Sequence, residues 1–275
     1  MISGLIIYSK NDKEKNTCFI DECIKRFTDK GVSLVYIEEN KVKDFAKNNS
    51  VSFAIYRGRD YRIAEFLENN SIKCFNNALT NRIANDKSLS FEFLSKERIP
   101  VIPTFSSLEE VGSYPLIMKS VDGHGGQEVF LINTREEAET FKKQNKRYVY
   151  QKYYPNEGDL RLYVLNKEVA GAVYRHNKND FRSNFSLGGD VVNYNPEKEI
   201  VDIATKVAEL LNADYIGVDF IKVDNKWCVN EIEDPVGARM LYKTSNVDVI
   251  ELLVNYICSL IVIHQDPNRL DNRTE

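Results

Sequence analysis

The sequence predicts an α/β protein in which a small N-terminal parallel-sheet lobe precedes two α+β subdomains, and three observations carry that reading. Short apolar runs alternate with helical patterns over the first eighty residues. A strand–glycine turn–strand–helix unit lies between Leu116 and about Val149, and from Tyr148 onward the pattern is mostly strands. The segments are residues 1–80, 81–150 and 151–265, with 266–275 as a polar, frayed tail.

In the first segment, Leu5 to Tyr8, Leu34 to Ile37 and Phe53 to Tyr56 are apolar runs of buried-strand length. Phe19 to Lys30 places its apolar residues on one helix face and stops at Gly31, a good C-cap. This βαβ rhythm implies a small parallel sheet. Asp86 precedes a helix from Lys87 to Lys96, closed by Ile99-Pro100. Leu116 to Lys119 and Glu128 to Ile132 are strands around a glycine-rich turn; Thr134 caps a helix from Arg135 to Gln144, with Glu137 completing a capping box. Strands follow at Tyr148 to Lys152, Leu160 to Leu165 and Glu168 to Tyr174, then a helix from Pro196 to Leu211. Tyr215 to Lys222 and Trp227 to Glu233 flank the turn Asp224-Asn225. Val247 to Ile263 is apolar but broken by Asp248, Glu251 and Asn255, so it reads as an amphipathic core helix and not a membrane span.

Composition excludes several classes. The 275 residues are 43% hydrophobic and 28% charged, as in an ordinary globular protein. A net charge of -4 lacks the basic surplus of a nucleic-acid-binding domain. The five cysteines form no CxxC pair and no metal-ligand spacing, and read as reduced thiols. The N-terminal apolar run is too short, and too soon charged, for a signal peptide, so the expected location is cytoplasmic.

Three constellations carry chemistry. Lys119 to Gly126 joins two strands without opening a helix, so it fails both the Walker A and the dinucleotide-fold patterns. Gly123, Gly125 and Gly126 still allow close backbone approach to an anion. Alone, the segment reads equally as a flexible hairpin or as a phosphate cover. Asp219 sits in an almost wholly apolar strand, and Glu231 and Glu233 share a face of the next. A hairpin would set Asp219 beside Glu231, and such a carboxylate cluster suits Mg²⁺, the other reading being exposed carboxylates on an edge hairpin. Arg161 and the basic stretch Arg175 to Asn184, followed by Gly188-Gly189, suit a negatively charged transition state or a solvated loop.

Taken in order, these pieces resemble the ATP-grasp superfamily, and within it the RimK-like glutamate ligases. The resemblance spans about Asn76 to Lys243 and rests on the order of six motifs: Asn85-Asp86-Lys87; Lys119 with its glycines; Val149 to Tyr154; Gly158-Asp159-Leu160-Arg161; Phe181 to Asn184 with Gly188-Gly189; and Gly217-Val218-Asp219 with Asn230 to Glu233. It implies an ATP-dependent carboxylate–amine ligase, ADP-forming, that joins a glutamate-like amino acid to an amine or peptide acceptor through an acyl phosphate. By the same resemblance Lys87 and Lys119 bind ATP phosphates beneath a flexible loop, Asp122 to Gly126. Gln151, Lys152, Tyr153 and Tyr154 form the hinge at the adenine, and Asp159 bonds the ribose. Asp219, Glu231 and Glu233 hold Mg²⁺, or Mn²⁺, and Arg161, Arg182 and Asn184 lie near the reacting groups.

The sequence departs from the family pattern in three places. Lys152 stands where the hinge usually has Glu, Glu233 where the last metal ligand is usually Asn, and Asp234-Pro235-Val236-Gly237 where Ser-Pro-Gly is usual. Arg239 and Tyr242 are candidate carboxylate binders or plain helix-surface residues. An ATP-grasp enzyme acting on a non-amine acceptor and an ATP-binding regulatory module are the alternative functions. A homo-oligomer is compatible with the sequence, which carries no readable interface signal.

Overall fold

The computed structural model describes residues 2–126, 128–177 and 189–263. Strands β1 (Ser3–Tyr8), β2 (Ser33–Glu38), β3 (Phe53–Tyr56) and β4 (Lys73–Phe75) form a parallel sheet in the order β2-β1-β3-β4. Helices α1 (Lys10–Lys15), α2 (Thr17–Asp29), α3 (Val42–Asn48) and α4 (Tyr61–Asn69) lie along the connections. Helices cover both faces, which is why β1 reads as a continuous apolar run: Ile6 and Tyr8 pack with Cys23 and Phe27 of α2, Leu5 and Ile7 with Ala64 and Leu67 of α4. Gly31 ends α2 with φ +74, its N–H on the Thr28 carbonyl and the Val32 N–H on that of Phe27.

After α5 (Ala78–Ala84) and α6 (Lys87–Lys96) comes an antiparallel sheet in the order β5-β8-β6-β7: β5 (Thr104–Phe105), β6 (Leu116–Ser120), β7 (Val129–Ile132) and β8 (Tyr148–Lys152). Helices α7 (Leu108–Val111) and α8 (Arg135–Phe141) cover it through Leu108 and Ala138. α6 begins at Lys87 because the Asp86 carboxylate accepts from the Ser88 and Leu89 N–H groups, both at 3.0 Å. Thr134 does cap α8, accepting from the Glu137 N–H. Glu137, however, accepts from the Asn133 N–H at 2.7 Å, one residue before the cap, so the expected box is not closed. α8 also stops at Phe141, short of Gln144, where Lys142 turns extended with ψ 127.

The remainder is a five-stranded antiparallel sheet in the order β11-β10-β9-β12-β13, built from β9 (Gly158–Leu165), β10 (Glu168–His176), β11 (Asp190–Asn193), β12 (Tyr215–Val223) and β13 (Lys226–Glu233). Asp224 and Asn225 turn β12 into β13 with positive φ at both, as a tight hairpin requires. Helix α9 (Lys198–Leu211) presents Ile200, Ala204, Val207, Ala208 and Leu211 to one face, where Leu160, Leu162, Val218 and Phe220 meet them. Ile83 and Ala84 of α5 and Leu94 of α6 join this same core. Alternation then commits Asp159, Arg161, Tyr163 and Asp219 to the opposite face. Helices α10 (Arg239–Thr244) and α11 (Val249–Ile263) follow, and α11 packs Val249, Leu253, Val254 and Ile257 into the core shared with α2. Among the described residues no helix is long and apolar enough to cross a membrane.

Asn76 and Asp214 join the N-terminal lobe to the large sheet. Asn76 Oδ1 accepts from the Asp214 and Tyr215 N–H groups, and its Nδ2 donates to the Tyr215 carbonyl and to Asp234. Asp214 is 6% exposed and accepts from the Tyr256 hydroxyl at 2.6 Å. Burial pushes its carboxyl up to about 6, the Tyr256 hydrogen bond and Lys73 opposing the rise. The folded state therefore holds this proton more tightly than the unfolded chain does, so the cost of a buried charge is present above pH 6 and disappears as pH falls towards 4. Asp214→Asn is expected to stabilise the protein at pH 7.5, by on the order of 1–2 kcal/mol, and to lose most of that advantage by about pH 4. Urea unfolding at the two pH values measures this; an equal effect at both would overturn the assignment.

Candidate active site

A cleft separates the four-stranded antiparallel sheet from the five-stranded one, and most of the residues singled out from sequence line it. Lys87, Lys119, Gly123, Gly126, Gln151, Lys152, Tyr153, Tyr154, Asp159 and Glu231 all border this cavity. Gly125 lies in the same loop, and Gly125 and Gly126 have φ of +65 and +74. Side chains with a Cβ are strained there, which accounts for glycine at both positions.

The floor is a row of buried charges set by strand register. Asp219 of β12 stands opposite Arg161 of β9 on one side and Glu231 of β13 on the other, and Arg175 of β10 stands opposite Asp159 of β9. Arg161 grips Asp219 with two hydrogen bonds of 2.6 Å and reaches Glu233 at 2.9 Å. Arg175 grips Asp159 at 2.5 and 2.9 Å and donates to Asp219 at 2.6 Å. Arg161, Arg175, Asp159 and Asp219 are each 7% exposed or less. Burial works against the Asp219 charge, but the two guanidiniums outweigh it and hold the carboxyl down at about 2. Close approach at the row's outer end requires glycine at 158, where a Cβ would fall 2.2 Å from the Arg175 carbonyl.

One carboxylate oxygen from each of Asp219, Glu231 and Glu233 lies within 4.8 Å of the others. This is a hard-oxygen donor set, and it fits a divalent cation such as Mg²⁺. In this state the cluster is balanced by the chain's own cations. Lys87 Nζ lies 2.8 Å from Glu231 and also donates to the Gly123 carbonyl in the loop. Glu231 is held below the usual range: burial opposes its charge, and Lys87 and Lys119 more than offset that.

β13 carries a bulge opposite Asp219 and Phe220, which leaves Asn230 without a cross-strand partner and turns it to the cleft. Its Oδ1 accepts from Lys119 Nζ at 2.7 Å. Lys119 is buried, and its ammonium is pulled down to about 8 by burial, with Lys87 adding to the fall and Glu231 opposing it. At the far end, the hinge after β8 is pinned by Asn156, which donates to the Tyr154 and Lys222 carbonyls and accepts from the Lys222 N–H. Lys152, in the usual place of Glu, sets its ammonium 5.7 Å from the Tyr154 ring centroid.

Arg182 and Asn184 lie outside the described residues. Arg239 and Tyr242 lie in α10, past the turn that follows β13, and both are exposed. Asp234 of that turn is buried, accepting from Asn76 Nδ2 at 2.8 Å and Asn81 Nδ2 at 2.9 Å. Arg57, also buried, donates to the Val236 carbonyl at 2.6 Å and to the Tyr8 hydroxyl at 3.2 Å. Sequence reasoning singled out Arg175 only as the start of a basic stretch, and it did not place Asn156 or Glu128 in the site or Arg57 at the junction beside it. Glu128 closes the glycine loop, with Lys143 and Lys146 on its carboxylate at 2.6–3.0 Å.

Comparison with known proteins agrees with this architecture. The family model described as a RimK-like ATP-grasp domain matches residues 84–257. An uncharacterised Mycoplasma genitalium protein, MG011, is 30% identical over 271 residues, covering 93% of this chain and 92% of its own. A ribosomal protein bS6–L-glutamate ligase of Escherichia coli is 31% identical over 192 residues, 63% of each chain. Among solved structures, a D-alanine–D-alanine ligase from Bacillus anthracis complexed with ATP superposes with a TM-score of 0.75 at 17% identity, over 97% of this chain and 99% of its own. A RimK-domain ATP-grasp protein from Sphaerobacter thermophilus gives 0.71 at 18% identity, over 93% and 99%. These two show the shared fold, and with the match over residues 84–257 the chain belongs to the RimK-like ATP-grasp family.

Proposed function

We propose that the substrates of this ATP-dependent, ADP-forming carboxylate–amine ligase are a glutamate-like amino acid and an amine or peptide acceptor. The observation that carries the reading is the convergence, at one end of the cleft, of three carboxylates with Lys87, Lys119 and Arg161, while the hinge closes the other end. In support, a relative at 31% identity is named as a ligase of L-glutamate to ribosomal protein bS6. Residues 81–150 and 151–265 are read as the two jaws of the grasp, and 1–80 as the smaller lobe that precedes them.

In this reading the nucleotide lies along the cleft with its base at Gln151 to Tyr154, its ribose at Asp159 and its phosphates at Lys87 and Lys119 under the loop Asp122 to Gly126. Asp219, Glu231 and Glu233 would hold Mg²⁺, with Mn²⁺ as the alternative ion, and the metal supplies charge neutralisation to the phosphates. A substrate carboxylate oxygen attacks the γ-phosphorus, the bond to the ADP oxygen breaks, and an acyl phosphate forms. The amine nitrogen then attacks the acyl carbon, phosphate leaves, and the nitrogen gives up a proton. Phosphoryl transfer needs positioning and charge more than covalent catalysis, and this chain supplies cations on strands and at the start of α6. Arg161, anchored by Asp219 and Glu233, is aimed without reorganisation at charge that develops beside it. By the family resemblance alone, Arg182 and Asn184 would act on the same groups. The glycine loop excludes water from the acyl phosphate.

Three measurements test the reading. Incubated with Mg-ATP and a pool of amino acids and short peptides, the protein should release ADP only with substrate and yield a product with the mass of the condensed pair. A phosphorylated product would mean a transferase to another acceptor, and nucleotide binding without ADP release a regulatory module. Glu231→Ala should lower kcat on the order of 10²-fold, and near-wild-type turnover would sink the metal assignment. Because Lys119 loses its proton near pH 8, ATP affinity should fall as pH rises through that value; Lys119→Arg, charged throughout, should abolish this limb in a binding titration from pH 6.5 to 9.5.

A further inference from the structure

We propose that Thr104 sets the base selectivity of the nucleotide cleft by fixing which end of the Gln151 side-chain amide faces the base. The inference rests on the reading of this cleft as a nucleotide site with its base at the hinge. β5 is only two residues long, yet it pairs with β8 so that Thr104 lies directly across from Gln151. The chain leading into it is anchored on the opposite sheet. Val101 bridges Val229 of β13, Val229 donates its N–H to the Pro100 carbonyl at 2.8 Å, and the Ile102 N–H donates to the Val229 carbonyl at 3.1 Å.

The carbonyl of Ile102 is thereby fixed, and a carbonyl only accepts. Thr104 Oγ1, 2.9 Å away, must give its single proton to it. What Thr104 then offers Gln151 is a lone pair, so Gln151 has to turn its Nε2 that way, and it does so at 2.8 Å. Its Oε1 is left as the outward end of the amide. Gln151 borders the cleft beside Ile102, which sets this end of its amide at the wall where the base would lie.

An unrestrained glutamine is ambivalent, because its oxygen and nitrogen ends are nearly the same size and a flip exchanges acceptor for donor. Restrained in this way, it offers only an acceptor. That matches the exocyclic amino group of adenine and opposes the O6 oxygen of guanine. Thr104 is a positioning residue in this scheme, acting on the base through Gln151.

The test compares ADP and GDP dissociation constants, by titration without turnover, in wild type, Thr104→Val, Thr104→Ser, Gln151→Glu and the Thr104→Val/Gln151→Glu double variant. Wild type should favour ADP by at least about tenfold, the effect of one mismatched hydrogen bond of roughly 1.4 kcal/mol. T104V should lose about tenfold of that ratio, T104S should keep it, and T104V should have no further effect on the ratio in the Q151E background, where a carboxylate accepts from either oxygen. Should T104V not fold by circular dichroism, Thr104→Ala is judged by the same ratio. An unchanged ratio in T104V, or T104S failing as T104V does, would overturn the proposal, and so would a wild type that binds both nucleotides alike or neither. Selective ADP binding that follows this pattern in a protein that forms no amide would leave Thr104 its role and overturn the ligase reading alone.

Discussion

Everything at the centre of this molecule depends on a row of alternating charge, Asp159–Arg175–Asp219–Arg161–Glu233, buried except at Glu233 and laid across four adjacent strands. Isolated charges at such depth are strongly unfavourable, and each is tolerated only because its neighbours carry the opposite sign at hydrogen-bonding distance. The row therefore ties side-chain chemistry to backbone register. A slip of one residue between β9 and β12 would turn Arg161 to the α9 side and leave Asp219 uncompensated, so the same constraint specifies the sheet and assembles the site. Replacing such a row with apolar residues is often neutral for stability, so its retention is better explained by what it positions than by what it stabilises.

The junction with the N-terminal lobe follows the same logic, but there the buried charges are met by neutral amide, carbonyl and ring partners. Asp234 stands where the family usually has serine, and its buried carboxylate is satisfied by amide donors from Asn76 and Asn81, each reaching from the other side of the junction. Arg57 is sandwiched between the Phe19 and Tyr215 rings and bonds the carbonyl of Val236. The departure at residue 234 is thus accommodated by partners more than 150 positions earlier in the chain, and the turn after β13 is held against the carboxyl ends of β1 and β3.

Local pattern made much of this legible in the sequence. β1 and β3, α6 behind Asp86 and the β12–β13 hairpin all announce themselves by apolar runs, a cap or a turn. The pairing of Asp219 with Glu231 follows from strand alternation and a short connector. What stayed hidden depends on long-range register. Arg175 reads as the start of a charged loop, because its partners Asp159 and Asp219 are 16 and 44 residues away. Thr104 sits in a strand too short to have a period, and Arg57, followed by Gly58 and Arg59, looks like surface. The box at Thr134 failed for a local reason, since Glu137 reached the N–H one residue before the cap. Arg182 and Asn184 lie beyond the described residues.

The two walls of the cleft meet through groups of different kinds at its two ends, and this difference bears on how a ligand enters. At the hinge they are joined by backbone-centred bonds: Asn156 to Tyr154 and Lys222, and the Pro100 to Ile102 segment to Val229. None of these uses a charge that a nucleotide would claim. At the other end the joints are Lys87 with Glu231 and Lys119 with Asn230, and those cations are the ones assigned to the phosphates. If those lysines take the phosphates as proposed, loading the cleft would be an exchange of partners and not the desolvation of bare charges. On the proposed assignment, phosphate would replace Glu231 and Asn230 on the lysines, and Glu231 would then be free to help hold a divalent cation. In that exchange neither Lys87 nor Glu231 would have to stand unpaired at this depth, where a lone charge is strongly unfavourable.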